Sequence, residues 1–245
     1  LAALLMQYAM FLQLISIILL VLALDSYAGV LVGAMWATGA LFANSYGPPL
    51  LLVKIVGPFF FGGWIVIHRL DLCSEHSPLV RLKFLLLLLL LPLQLSDAFC
   101  LVAYLAHLEP DIITSCCGII FGSGAADGQN FFVGPLPIVP MMVLFYGLAV
   151  ILFGYGLLVE QRHDRMMSTG GNVLPLSFSV LWLLFFVISL IVIIAVISSY
   201  IYGMPFHRCP FDILKREYNY IGYPIYVTLF AAAFFGSSAS GVTLF

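Results

Sequence analysis

Residues 84–107 read FLLLLLLLPLQLSDAFCLVAYLAH. At about 1.5 Å per residue on a helix, such a stretch covers ~36 Å. A bilayer's hydrocarbon core is roughly 30 Å thick, so the stretch predicts a transmembrane helix. Its second half is not purely apolar. Asp97, Cys100, Tyr104 and His107 recur at spacings of 3, 4 and 3, which places them on one helical face. Glu109, Pro110, Asp111 and the adjacent Cys116 and Cys117 follow.

The rest of the chain has the same character. It is 63% hydrophobic and 8% charged, with a mean hydropathy of +1.15. Such a chain cannot bury its apolar surface as a water-soluble globule. Segments of about ten alternating residues, the mark of a membrane barrel, are missing from the sequence. The fold class is therefore all-α integral membrane, a polytopic helical bundle in contact with the lipid bilayer. A formal net charge of −2 argues against nucleic acid as a partner.

Seven spans are expected within a single transmembrane domain: about 3–24, 27–44, 50–68, 84–107, 138–159, 176–201 and 221–241. The first 24 residues lack a basic leader region and exceed a signal-peptide core, so they read as a retained span. Pro48 and Pro49 suit the opening of the third helix, and Gly57-Pro58 predicts a kink one turn past Lys54. Arg69, Arg81 and Lys83 lie between spans three and four, and Arg162 and Arg165 between spans five and six. By the positive-inside rule both loops are cytoplasmic. With seven spans this puts the N-terminus outside and the C-terminus inside, in a membrane read as a bacterial inner membrane. The outer loops are then 108–137 and 202–220, although Arg208, Lys215 and Arg216 count against that side. Within the second loop, Phe211, Leu214, Tyr218 and Ile221 recur at 3, 4 and 3. The pattern predicts a short interfacial helix near 210–220.

The five cysteines divide by this topology. Cys73 is inner, Cys100 intramembrane, and Cys116, Cys117 and Cys209 outer, where disulfides persist. Adjacent cysteines rarely bond to each other, since their Cα atoms stand only about 3.8 Å apart. Cys209 is therefore expected to pair with Cys116 or Cys117. One reading makes that bond a structural staple for the outer loop. Another makes it redox-active, with Cys209 beside His207 and Arg208 and ahead of a helix N-terminus, features that favour a thiolate. Cys209-Pro210-Phe211 resembles the start of the CPxC motifs of thiol–disulfide oxidoreductases, including membrane families that pass electrons from thiols to quinone. That resemblance implies a catalytic role for Cys209, but the fourth position is Asp212 and no CxxC occurs in the chain.

A third reading is a metal or haem centre. His107 and His207 both reach the outer rim in the predicted topology. With Cys116, Cys117 or Cys209 they offer the nitrogen and sulfur ligands that copper or zinc favours. Alternatively the two histidines would hold a b-type haem. The plainer reading of each is a hydrogen-bonded interfacial side chain. His68, His76 and His163 fall in inner loops and read as solvated.

Asp97 costs roughly 3 kcal/mol at a helix centre on insertion scales, so it needs a proton, a partner or water. Lys54 lies about 9 Å away in depth on an antiparallel neighbour, a gap that a lysine side chain largely covers. An Asp97–Lys54 ion pair is one expectation; a proton relay from Asp97 through Tyr104 to His107 is another. Paired broken helices of the transporter kind are missing from the sequence. The expected function is an integral membrane subunit of a larger redox or electron-transfer assembly. It would be mainly scaffolding among other membrane subunits, with an outer Cys/His cluster. The alternatives are a quinone-coupled thiol–disulfide oxidoreductase acting through Cys209, and a haem- or copper-binding membrane protein.

Overall fold

A computed structural model describes residues 2–32, 34, 36–73, 79–111, 138–169, 173–204 and 207–243. Every regular element among them is helical. In chain order these are α1 (Ala2–Ala28), α2 (Ala37–Leu41), α3 (Gly47–Cys73), α4 (Val80–Ala106), α5 (Ile138–Thr169), α6 (Val173–Val192), a π-helical turn (Ile193–Ile197), α7 (Ser198–Tyr202), two 3-10 turns (Asp212–Leu214 and Arg216–Tyr218) and α8 (Gly222–Thr243). The chain divides into two compact units, residues 1–116 and 117–245.

Five helices among the described residues are long and apolar enough to cross a bilayer, rather than the expected seven: Ala3–Ala28, Gly47–Cys73, Val80–Ala106, Ile138–Gln161 and Leu174–Tyr202. The last runs through α6, the π turn and α7 as one rod. Within the leucine run of α4, Leu85, Leu88, Leu89 and Leu91 face outward, with Leu88 70% exposed. So large an apolar surface belongs against lipid. The protein is a multi-pass helical membrane bundle.

The second expected span, 27–44, does not cross. It holds only the five residues of α2, all buried, and five residues rise about 7.5 Å. Gly29, Gly33 and Gly39 thin out this stretch, and each glycine costs a helix about 1 kcal/mol against alanine. Leu31, Ala34, Ala37, Ala40, Leu41 and Ala43 go into the core of the first unit, while Val30 and Val32 stay exposed. Elsewhere in that unit Met10 of α1, Phe61 and Trp64 of α3 and Leu90 of α4 form a buried cluster.

In the second unit, Met141 packs with Val192 and Ala195. Ile193, Tyr202 and Ile213 form a second cluster where the long rod ends. The interfacial helix expected near 210–220 is replaced by the two 3-10 turns. Lys215 between them is extended, with φ −82° and ψ 161°, and Asn219 and Tyr220 adopt φ of 53° and 56°. Asparagine tolerates this left-handed region, whereas for tyrosine it is strained. The turn closes tightly against α8: a Cβ on Gly222 would lie 2.8 Å from both Ile213 and Leu214.

Candidate functional site

The polar residues of the first unit gather into two ion pairs on the α3–α4 hairpin. Lys54 Nζ of α3 donates to Asp97 Oδ2 of α4 at 2.7 Å and to Ser16 Oγ of α1 at 2.9 Å. Ser16 in turn donates to the Gln13 carbonyl at 2.6 Å. One ammonium thus joins three helices. Both partners of the pair are about 95% buried. Asp97 Oδ1 receives no hydrogen bond among the described residues.

The other pair was not expected. Lys83 of α4 donates to Asp71 Oδ2 of α3, and the Leu79 N–H donates to Asp71 Oδ1 at 2.9 Å. Both oxygens of this carboxylate are therefore satisfied. Trp64 Nε1 donates to the Lys83 carbonyl at 2.9 Å, and the Trp64 ring stacks on His68 at 5.2 Å. His68, read from sequence as solvated, is 3% exposed, because α3 runs five residues past it and holds it beneath the tryptophan. The signal that could have found this pair was present: Asp71 and Lys83 are opposite charges near each other in sequence, at facing ends of two apolar runs.

Tyr104 is fully buried, but its hydroxyl donates to the Ala40 carbonyl of α2 at 2.8 Å, not toward Asp97. Asn44 Nδ2 donates to the carbonyls of Tyr104 (2.9 Å) and His107 (3.3 Å), closing the end of α4. His107 is exposed, its Nδ1 donates to the Ala103 carbonyl at 2.9 Å, and its ring lies 5.3 Å from that of Tyr46. A Cβ on Gly47 would stand 1.8 Å from the Leu41 carbonyl oxygen. The stripe on α4 is therefore divided: Asp97 serves the ion pair, while Tyr104 and the end of α4 clamp α2 in place.

In the second unit, His207 Nε2 bonds Asp212 Oδ2 at 2.8 Å, and Lys215 Nζ stands 3.3 Å from Asp212 Oδ1. Asp212 is 1% exposed. The Tyr202 hydroxyl donates to the Cys209 carbonyl, and the Tyr226 hydroxyl to the Pro210 carbonyl at 2.9 Å. Cys209 is completely buried, which keeps soluble thiols away from it. The helix N-terminus invoked to activate it is a three-residue 3-10 turn. Tyr218, beside Tyr202 at 4.6 Å, has its hydroxyl pKa raised, first by burial and then by the negative charges of Asp212 and Glu217.

Cys116 and Cys117 lie outside the described residues, and with them the expected staple, the redox pair and the sulfur ligands. Among the described residues, no three His, Cys, Asp or Glu side chains come together as a metal site. His107 belongs to the first unit and His207 to the second. No family model, curated protein or solved structure matches this chain.

Proposed function

We propose that this chain is a scaffolding subunit in the membrane part of a larger redox or electron-transfer assembly. The observation that carries the scaffolding role is the use made of its buried charges. Lys54, Asp71, Lys83, Asp97 and Asp212 each sit in an ion pair, and in the first unit those pairs join one helix to another. Intramembrane charges are costly and mark function when they line a pathway; here they tie helices together. The redox setting is supported by the Cys/His set of the sequence and by an aromatic content of 15%, suited to neighbouring helices or quinone.

We propose a topology to match. Since 27–44 does not cross, a cytoplasmic α3–α4 turn carries the start of α1 to the cytoplasmic side as well, not outside. Arg69 and Arg81 are exposed there, whereas Lys83 is bound to Asp71. In the second unit, Arg162 and Arg165 keep the C-terminal end of α5 inside. The opposing vote of Lys215 is weakened by its pairing with Asp212.

The test is mild-detergent extraction of the tagged chain from its native membrane, followed by native electrophoresis and an absorption spectrum. The expected result is comigration with larger redox-active partners. A lone, colourless chain that by itself oxidises thiols would replace this reading with the Cys209 enzyme.

A further inference from the structure

The charges on the α3–α4 hairpin are ordered. Along α3, Lys54 precedes Asp71 by 17 residues, and along α4, Lys83 precedes Asp97 by 14. These spacings correspond to about 25 Å and 21 Å of helix axis. Antiparallel, the two helices close both pairs at once. A slip of one turn, about 5.4 Å, would open both pairs together.

We infer that these four residues form a pairing code that holds the antiparallel α3–α4 hairpin in a single register. The need for a code lies in α4 itself. Residues 85–91 are leucine at every position, so over these two turns one helical face offers much the same apolar surface as another. Lipid tails are as apolar as leucine, so hydrophobicity does not draw one membrane helix to another. Register must come from elsewhere, and fixing register is the best-attested use of buried polar groups. The two pairs supply it at opposite ends of the hairpin, and Trp64 strengthens one end through the Lys83 carbonyl. Ser16 then fits α1 to the finished hairpin through the Lys54 ammonium. The inference does not depend on the redox assembly proposed above.

Charge reversals in the full chain test it. Lys54→Asp, Asp97→Lys, Asp71→Lys and Lys83→Asp are each expected to cut folded protein recovered from membranes about tenfold. The matched doubles Lys54→Asp/Asp97→Lys and Asp71→Lys/Lys83→Asp are expected to recover most of it. The mismatched double Lys54→Asp/Asp71→Lys is expected to stay low. Equal recovery of matched and mismatched doubles would overturn the inference. A second measurement does not require a misfolded variant. Lys54→Met, Asp71→Leu, Lys83→Met and Asp97→Leu together leave no charge to bury on the hairpin. Cysteines replacing Phe61 and Leu90, which share the core cluster, report the native register in a background lacking the native cysteines. Phe61 with Gln94 or Leu86 reports a one-turn slip. With the four charges present, the 61–90 cross-link should dominate; without them, the slipped cross-links should rise to comparable yield. An unchanged preference for 61–90 would show that packing alone sets the register.

Discussion

In the first unit α3 meets α4 through two lysine–aspartate pairs, whereas in the second α6 meets α8 with no such pair among the described residues. There the contact is made by shape. A Cβ on Gly236 of α8 would lie 2.3 Å from the Trp182 ring of α6, so the glycine is what lets the indole lie on the helix backbone. Ser179 Oγ reaches the Gly236 carbonyl at 3.3 Å, and the rings of Phe186 and Phe230 meet edge to face at 5.0 Å. Charge distinguishes direction and register but carries a desolvation cost. Shape brings backbones close at no electrostatic cost, and it needs a small residue at one particular place. The α4 leucine run has no such landmark, and it is the helix that carries the charges.

Removing one partner of a pair should break the first kind of contact most severely. Lys54→Met leaves the Asp97 carboxylate buried and uncompensated, at a cost of about 3–5 kcal/mol. Unfolding in detergent, followed by tryptophan fluorescence, measures it. The apolar double Lys54→Met/Asp97→Leu should regain nearly all of that loss, because Asp97 Oδ1 has no donor in the intact pair. Asp71, satisfied on both oxygens, should regain less in Asp71→Leu/Lys83→Met. If both doubles regain equally, the contrast between an open and a closed pair has no energetic content.

The second kind of contact should break at a methyl group. Gly236→Ala pushes into Trp182 and is expected to cost about 1–3 kcal/mol, visible in the same unfolding assay. Tyr104→Phe should cost about 1 kcal/mol by removing the donor to Ala40. Its effect should be local, with faster amide exchange across 37–41 and little change in α3. The smallest effect is a pH dependence in the 207–221 segment. Tyr218 has a raised pKa, so its contribution is intact below the ordinary tyrosine value of about 10 and is lost as pH rises through the folded-state value. The difference between the ultraviolet titrations of the parent chain and of Tyr218→Phe, which isolates this one hydroxyl, should show it ionising later than an exposed tyrosine.

The Lys54–Asp97 contact is legible in sequence because few groups share a given depth in hydrocarbon, and depth follows from residue count. Asp71–Lys83 is not legible by that route: both fall near predicted helix ends, where charges are ordinarily hydrated. Tyr104 was visible as a polar residue on the stripe. Its acceptor was hidden, because a backbone carbonyl of α2 has no sequence signature.

By itself the sequence determined that this chain lives in a membrane as a helical bundle, since runs of apolar residues longer than a bilayer is thick have no other stable home. It also marked Asp97 as a charge that would be expensive. Only the tertiary structure decided that residues 27–44 stay within the first unit instead of crossing, that residues 210–220 turn twice instead of forming one helix, and that the polar stripe of α4 splits between two tasks. The physical reason is common to all three. Hydropathy reports how much a segment prefers to leave water, but lipid and protein interior satisfy that preference equally, and the choice between them rests on contacts made by residues distant in the chain.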